Sequence, residues 1–458
     1  MTLFWRTSPP GPTRARAGLF IGCALALASA HAQPLDALGA ADPARPATAP
    51  LLVLPPTGHA DLPALPTDIA AARAIWQRAN QRVAEFPRGH ADLLRWESTQ
   101  ASENRSESRR GPGLDFAQAL RLSLRHRPEL FTHADMNPLV RRQVTVAYAA
   151  HVRDLQRAWI DAVATRQSER LLAEVLDATR TGSELGRRMV VAGNWSQARQ
   201  MREQLIEASA WQASVEARGA TLAAQERLAR LLGLWDAQAV AQLGGQLPAG
   251  LPELPAKPSP GESASEVTLE ATVLRSHPML AQTRLLAGRD IAPASEARRK
   301  EWNEAVDAAL GTLTDASSAP PHIDNLSLLR DHTLERAVSA EAALLRQAAE
   351  RRSMARQAWT ALQLRHASAQ HAQSVVAQLQ IALEQETQLR YNGMLQSTWE
   401  LLASARERMS ALDAALQARR AYWLAQADWQ ALLAGADYAG PDTPPSSSGN
   451  GTASAAGH

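Results

Sequence analysis

Side chains that could perform chemistry are few and scattered along the sequence. His366 and His371 are five residues apart, which places them on different faces of a helix, so their spacing does not suit one shared metal ion. The sequence contains no recognisable nucleophile–base pairing, no phosphate-binding loop and no paired carboxylates in the context of a cleft. We therefore expect a protein that is not an enzyme and that uses no metal or other cofactor.

The single cysteine, Cys23, is a candidate for lipidation, because residues 20–23 loosely resemble a lipobox. Cys23 nevertheless lies early, inside an apolar run at 17–28 that follows a basic start. The small residues at 30–32 form a better cleavage site. The favoured interpretation is a signal peptide at 1–32 without lipidation, and lipidation at Cys23 is the alternative. Export would place the chain in the outer membrane or the periplasm.

Two triplets interrupt long apolar repeats, and they are either simple helix-breaking turns, which any hairpin needs, or turns that also form a docking surface. They are Ala192-Gly193-Asn194 and Asn392-Gly393-Met394. The step along the chain from Trp159 to Gly193 equals the step from Trp359 to Gly393, so the second copy repeats the first at a constant offset. Glycine beside asparagine suits a turn that needs a positive φ.

The elements that carry these turns are long helices. Aromatic residues are only 5% of the chain, whereas strong helix formers dominate. Before the first turn, apolar residues step by 4, 3 and 4 from Tyr148 to Trp159, which is coiled-coil spacing. One helix thus rises to each turn and another returns from it. The predicted fold class is all-α, with duplicated long antiparallel coiled-coil hairpins that pack as a four-helix bundle.

Composition divides the chain further. The predicted segments are a signal peptide (1–32), a Pro-rich linker (33–66), short helices with a polar linker (67–113), the first helical-hairpin repeat (114–246), a Pro-rich inter-repeat linker (247–264), the second repeat (265–437) and a disordered tail (438–458).

Tryptophans on the apolar stripes are predicted to pack in the core rather than to stack on ligands. They are Trp159, Trp359, Trp399 and Trp423.

The segment 85–97 is dense in polar and aromatic residues, and it is either a functional element or a short helix packed on the hairpins. Basic and acidic residues nearly balance, 48 against 46, which gives no indication of a nucleic-acid partner.

Four pieces of the sequence, taken in order and with the internal repeat, resemble the TolC-like outer-membrane efflux channel family, the outer membrane factors of tripartite efflux pumps. They are "ALRLSLRHRPEL" at 119–130, "RRMVVAGNWSQARQMREQL" at 187–205, "LARLLGL" with "LPELP" within 228–255, and "LRYNGMLQSTWELLASARERMSAL" at 389–412.

The resemblance implies a homotrimer whose helices form a periplasmic tunnel, with four β-strands per protomer in a shared membrane barrel. It also implies that the hairpin tips, Ala192, Gly193, Asn194, Asn392, Gly393 and Met394, meet a periplasmic adaptor protein and an inner-membrane pump. The implied function is the exit duct of an efflux system for drugs or metal ions.

One departure from the family concerns the places where its strands are expected. Pro128 and Trp159 lie too close together in the sequence to leave room for two membrane-spanning strands and a loop, and the segment 291–331 shows no alternation of apolar and polar residues. The sequence therefore predicts that the β-barrel strands are absent or vestigial. This leaves a barrel-less periplasmic coiled-coil scaffold or regulator as the alternative function. A helical adhesin or spacer is a third possibility, although a spacer has no need of matched turns.

Overall fold

The computed structural model describes residues 114–260, 269–311, 313 and 320–438, together with the helical residues Ala70, Arg73 and Gln77. Every regular element in these ranges is a helix, and none of their residues belongs to a strand. The predictions that lie outside the described residues are the signal peptide, Cys23, the linker at 33–66, the short helices and polar linker at 67–113 except for the three residues just named, the segment 85–97 and the tail beyond Tyr438.

The first hairpin consists of α2 (Pro138–Val191) and α3 (Gln197–Leu232). Its flanking elements are α1 (Phe116–Leu124), a 3₁₀ turn (Pro128–Leu130) and α4 (Ala237–Gln246). The side chain of Asn137 accepts a hydrogen bond from the Leu139 N–H at 2.9 Å and caps α2, where Pro138 occupies the first helical position. With 54 residues, α2 is about 80 Å long.

The second hairpin rises through two helices and returns through one. A π turn (Ala372–Val376) joins α9 (His332–His371) to α10 (Ala377–Asn392), and α11 (Thr398–Leu433) returns from the turn. The helices that precede it are α5 (Leu269–Ser276), α6 (Pro278–Ile291), α7 (Glu296–Gly311) and the single turn α8 (Leu326–Leu329). The structure thus confirms the predicted class of two long antiparallel hairpins.

The four long arms form an open layer rather than the closed four-helix bundle that we predicted. Helix α2 packs on α3 on one side and on α11 on the other, and α11 packs in turn on α9 and α10. In the described part of the chain, α3 has no extended contact with α9 or α10. The bundle prediction was wrong because heptad stripes fix which faces are buried but not whether the outermost helices meet.

Polar contacts line the seam between α2 and α11. Arg157 donates to both oxygens of the buried Asp428, at 2.8 and 2.9 Å, and the Ser168 hydroxyl donates to Asp413 at 2.6 Å. Burial raises the pKa of Asp428, and the charge of Arg157 opposes that rise. Because each charged group has a partner across the seam, these contacts fix the register between the two hairpins.

Large aromatic side chains occupy the core, as predicted for two of the four tryptophans. Trp159 and Trp359 are buried, whereas Trp399 and Trp423 are only partly buried. Trp429, which the spacing analysis did not single out, is completely buried, and its ring centroid lies 5.5 Å from that of Trp359.

The Pro-rich linker between the hairpins is held by side chains of the second hairpin. The Trp423 and Trp429 indole N–H groups donate to the Pro252 and Pro260 carbonyl oxygens, both at 3.1 Å. His366 Nε2 lies 2.7 Å from the Pro255 carbonyl oxygen. Prolines cannot donate hydrogen bonds, but their carbonyls accept them, so the linker is docked without secondary structure.

No helix among the described residues combines the length and the hydropathy that a membrane crossing requires.

Candidate docking surface at the helical turns

The first turn closes with the backbone geometry of a helix C-terminus. Gly193 adopts φ +76°, its N–H donates to the Val190 carbonyl, and the Asn194 N–H donates to the Met189 carbonyl, both at 2.9 Å. This is the Schellman arrangement, in which a left-handed residue follows the end of the helix. Glycine adopts this φ without the steric cost that a side chain carries.

The second turn has the same arrangement one residue later than the sequence predicted. Gly393 has φ −79°, and Met394 is the left-handed residue, with φ +60°. The Leu395 N–H donates to the Arg390 carbonyl at 2.9 Å. Met394 is therefore the structural counterpart of Gly193, and the identical glycines at 193 and 393 are not equivalent positions.

The π turn accounts for the extra residue. The returning helices α3 and α11 have equal lengths, and they begin at Gln197 and Thr398. The second start is one position later than the offset between the core tryptophans Trp159 and Trp359 predicts. The only π turn among the described residues, Ala372–Val376, lies between Trp359 and the second turn. A single π turn inside a helix accommodates one inserted residue, so the helix keeps its packing on both sides of the insertion.

An aromatic contact brings the two turns to one level. Trp195, directly after the first turn, is buried against Trp399, just after the second, with ring centroids 4.1 Å apart. The guanidinium of Arg199 lies 3.9 Å from the Trp195 ring centroid. This cation–π contact and the ring pair join the ends of the hairpins into one surface. Sequence reasoning assigned Trp399 to the core and did not single out Trp195 or Arg199.

Two glycines of α2 allow this close approach. A Cβ on Gly186 would lie 2.2 Å from Gln200 Oε1 and 3.0 Å from the Trp195 ring, and one on Gly182 would lie 3.3 Å from the Leu402 side chain. Gln200 is itself buried and donates from Nε2 to the Ser183 carbonyl at 3.0 Å. The pair therefore lets α3 and α11 approach α2 just before the turn.

The six predicted tip residues differ in exposure. Ala192 is half-buried, whereas Gly193, Asn194, Asn392, Gly393 and Met394 are exposed. Met394 is 93% exposed and its neighbour Leu395, which we did not predict, is 79% exposed. The second turn thus presents two large apolar side chains to solvent, and the first presents glycine and asparagine.

Several charged groups beside the turns have partners within their own helices. Hydrogen bonds from Arg187 and then Arg188 lower the pKa of Glu184 to about 2. Arg390 donates to Glu386 at 2.9 Å, and the Ser397 N–H lowers the pKa of Glu400 by donating to it. The exposed Met394 and Leu395 make apolar contact the main interaction that the second turn offers.

The contact between Ser123 and His151 does not have the geometry of a catalytic pair. The buried Ser123 hydroxyl donates to the Leu231 carbonyl at 2.6 Å, so at its 2.7 Å contact with His151 it accepts from Nε2. This direction is the reverse of a nucleophile–base pair. Within the described ranges, no group of three or more metal-binding side chains comes together.

Comparisons with known proteins give only distant similarities. No family model and no curated protein matches the sequence. Among solved structures, CusC is 13% identical, with 81% of this chain and 96% of that chain covered and a TM-score of 0.43. A membrane protein from Pseudomonas aeruginosa is 13% identical, with 85% and 98% covered and a TM-score of 0.42. The Campylobacter jejuni CmeC outer membrane channel is 12% identical, with 69% and 67% covered and a TM-score of 0.44.

All three are distant similarities, with TM-scores below 0.5. The solved structures to which this chain is similar at these low scores include outer-membrane channels.

Proposed function

We propose that this chain is a TolC-like duct component of a tripartite efflux system, which passes drugs or metal ions outward without chemistry of its own. It assembles as a homotrimer, and its paired turns dock on a periplasmic adaptor that leads to an inner-membrane pump. The chain would act in the outer membrane or the periplasm after export.

The observation that carries this proposal is the joined pair of turns. The Trp195–Trp399 contact holds both tips at one end of the molecule, and Met394 and Leu395 are exposed there with no described side chain covering them. Exposed apolar side chains at the end of a rigid rod favour an interaction site over a simple connector. Among the described residues, α10 packs on α11 but on no second long helix, and α3 packs on α2 but on no second long helix, so both leave an edge open for neighbouring copies.

A second candidate is a periplasmic scaffold or regulator with the same docking tips. It is favoured by α7 and α8, the helices within the segment 291–331. The resemblance to the channel family predicts β-strands in this segment. The scaffold would bind the adaptor without affecting the passage of substrate.

The test is the double substitution Met394→Gln and Leu395→Gln. Removing two exposed apolar contacts should weaken adaptor binding about tenfold or more, because few residues carry most of the energy of an interface. Susceptibility to exported drugs or metals should rise, while the melting temperature should stay constant since both side chains are exposed.

The matched control is Leu285→Gln with Leu286→Gln, which changes two exposed leucines far from the turns. Purified adaptor should bind this control as it binds the parent chain. Unchanged adaptor binding by the tip variant would contradict the docking proposal. Lost binding with unchanged susceptibility would favour the scaffold.

A further inference from the structure

Three ring nitrogens of the second hairpin meet the proline-rich linker, of which the structure describes residues 247–260. They belong to Trp423, His366 and Trp429, and they lie 3.1, 2.7 and 3.1 Å from the carbonyl oxygens of three different prolines. A carbonyl oxygen only accepts hydrogen bonds, so each of these nitrogens is the donor. Grooves lined by aromatic side chains are a recurring recognition surface for extended proline-rich peptides.

The three rings are parts of an aromatic cluster between α9 and α11. The Tyr422 ring centroid lies 5.1 Å from that of Trp423 and 5.3 Å from that of His366. Trp429 lies in the same buried cluster as Tyr422, against Trp359. Because the packing of the two helices holds these rings, we expect the cluster to persist when the linker is absent.

The opposite end of the linker is fixed on the first hairpin. Leu247 and Leu251 are buried in the hydrophobic cluster that α2 and α3 form with neighbouring elements. Arg166 of α2 donates to the Leu247 carbonyl oxygen at 3.1 Å. The linker therefore crosses from one hairpin to the other, and its bound length joins them in addition to the seam between α2 and α11.

Charge also distinguishes this segment from a passive connector. Glu253 is the only acidic residue within 247–260. Burial lowers the pKa of Arg419 on α11, and the charge of Glu253 opposes that fall. A passive connector needs length alone, whereas this linker supplies three carbonyl acceptors and one carboxylate to groups that the second hairpin presents.

We propose that α9 and α11 form a binding groove for extended proline-rich peptide, and that residues 252–260 of the chain's own linker occupy it and clasp the two hairpins together. The same peptide should bind in trans once the linker no longer fills the groove. In the parent chain it should compete poorly, because a tethered segment has an effective concentration in the millimolar range. The groove is separate from the turns, so the inference does not rest on the proposed duct.

The test uses the full chain with residues 252–260 replaced by glycine and serine of equal length, and a fluorescently labelled peptide of the original segment. Fluorescence anisotropy should show that the replaced chain binds the peptide at least about tenfold more tightly than the parent does. Adding Trp423→Phe, which removes one donor, should weaken binding about fivefold. The matched control is Trp302→Phe on α7, outside the groove, which should leave binding unchanged.

Three outcomes would overturn the proposal. They are a folded replaced chain that does not bind the peptide, equal binding by the parent, and equal effects of the two tryptophan substitutions. Should the replaced chain lose its helical circular dichroism, proteolysis of the otherwise unaltered chain decides.

The chain has two lysines, the exposed Lys257 of the linker and Lys300 of α7. A protease that cuts on the amino side of lysine should cut at Lys257 several times faster in the Trp423→Phe variant than in the parent, because the linker then leaves the groove more often. Cutting at Lys300 should keep the parent's rate. An unchanged rate at Lys257 would show that the linker is a passive connector.

Discussion

At the scale of single residues, Gly186 has the most sharply defined role. Its missing Cβ leaves room for the buried Gln200 side chain and the Trp195 ring. We expect Gly186→Ala to destabilise the protein by about 1–2 kcal/mol, because Gln200 has little space into which it can move. The mutation should also loosen the Trp195–Trp399 contact, which tryptophan fluorescence would report beside thermal melting.

The matched control is Gly219→Ala, in the exposed interior of α3, where an added Cβ meets nothing within 4 Å. That substitution should stabilise the chain by about 0.5–1 kcal/mol through helix propensity alone. Equal effects at both positions would show that Gly186 does not make room for the approach of the helices.

Residue types revealed the core tryptophans but not the partners of the polar side chains. Trp159 and Trp359 could be predicted to be buried because each lies on a heptad stripe. Nothing in the spacing of His366 indicates that it binds the Pro255 carbonyl, since that contact joins residues 111 apart in the chain. The Trp195–Arg199 pair was equally hidden, although an aromatic residue directly after a turn is a usable signal.

At the scale of elements, the π turn of the second hairpin permits a direct test. If it holds one inserted residue, deleting Gln373 should convert it to regular α-helix and leave both flanking segments packed. We expect the melting temperature to change by no more than about 3 °C. Circular dichroism and the fluorescence of the paired tryptophans should remain those of the parent.

Deleting the exposed Glu174 from the corresponding stretch of α2 is the control. No π turn absorbs that deletion, so all later residues of α2 would rotate by about 100° and lose their buried faces. The melting temperature should fall several times further than with the first deletion. Equal losses from both deletions would contradict the insertion interpretation.

The elements themselves were predictable, whereas their residue-by-residue correspondence was not. Two long helices on either side of each turn follow from the 3/4 spacing and the absence of proline. The register assigned to the repeat rested on identical glycines, but the backbone equates Gly193 with Met394. Methionine rarely adopts the left-handed conformation, so residue identity placed the left-handed position of the second turn one residue too early.

At the scale of the whole molecule, the open layer is the main departure from expectation. All four long arms carry similar apolar stripes, so the sequence could not distinguish a closed bundle from a row with two free edges. The polar seam of Arg157 with Asp428 and Ser168 with Asp413 selects α11 as the neighbour of α2. These contacts determine which helices pack together, and the spacing of apolar residues along the sequence does not predict them.

The central claim is that the two turns form one surface that contacts a periplasmic adaptor. Photo-cross-linking in the producing cells tests it most directly, with the reactive residue placed at Asn194, at Met394 or, as a control, at the exposed Leu364 on the flank of α9. We predict a cross-link to the adaptor from both turn positions and none from position 364. A cross-link from the flank alone, or from neither turn, would contradict the claim.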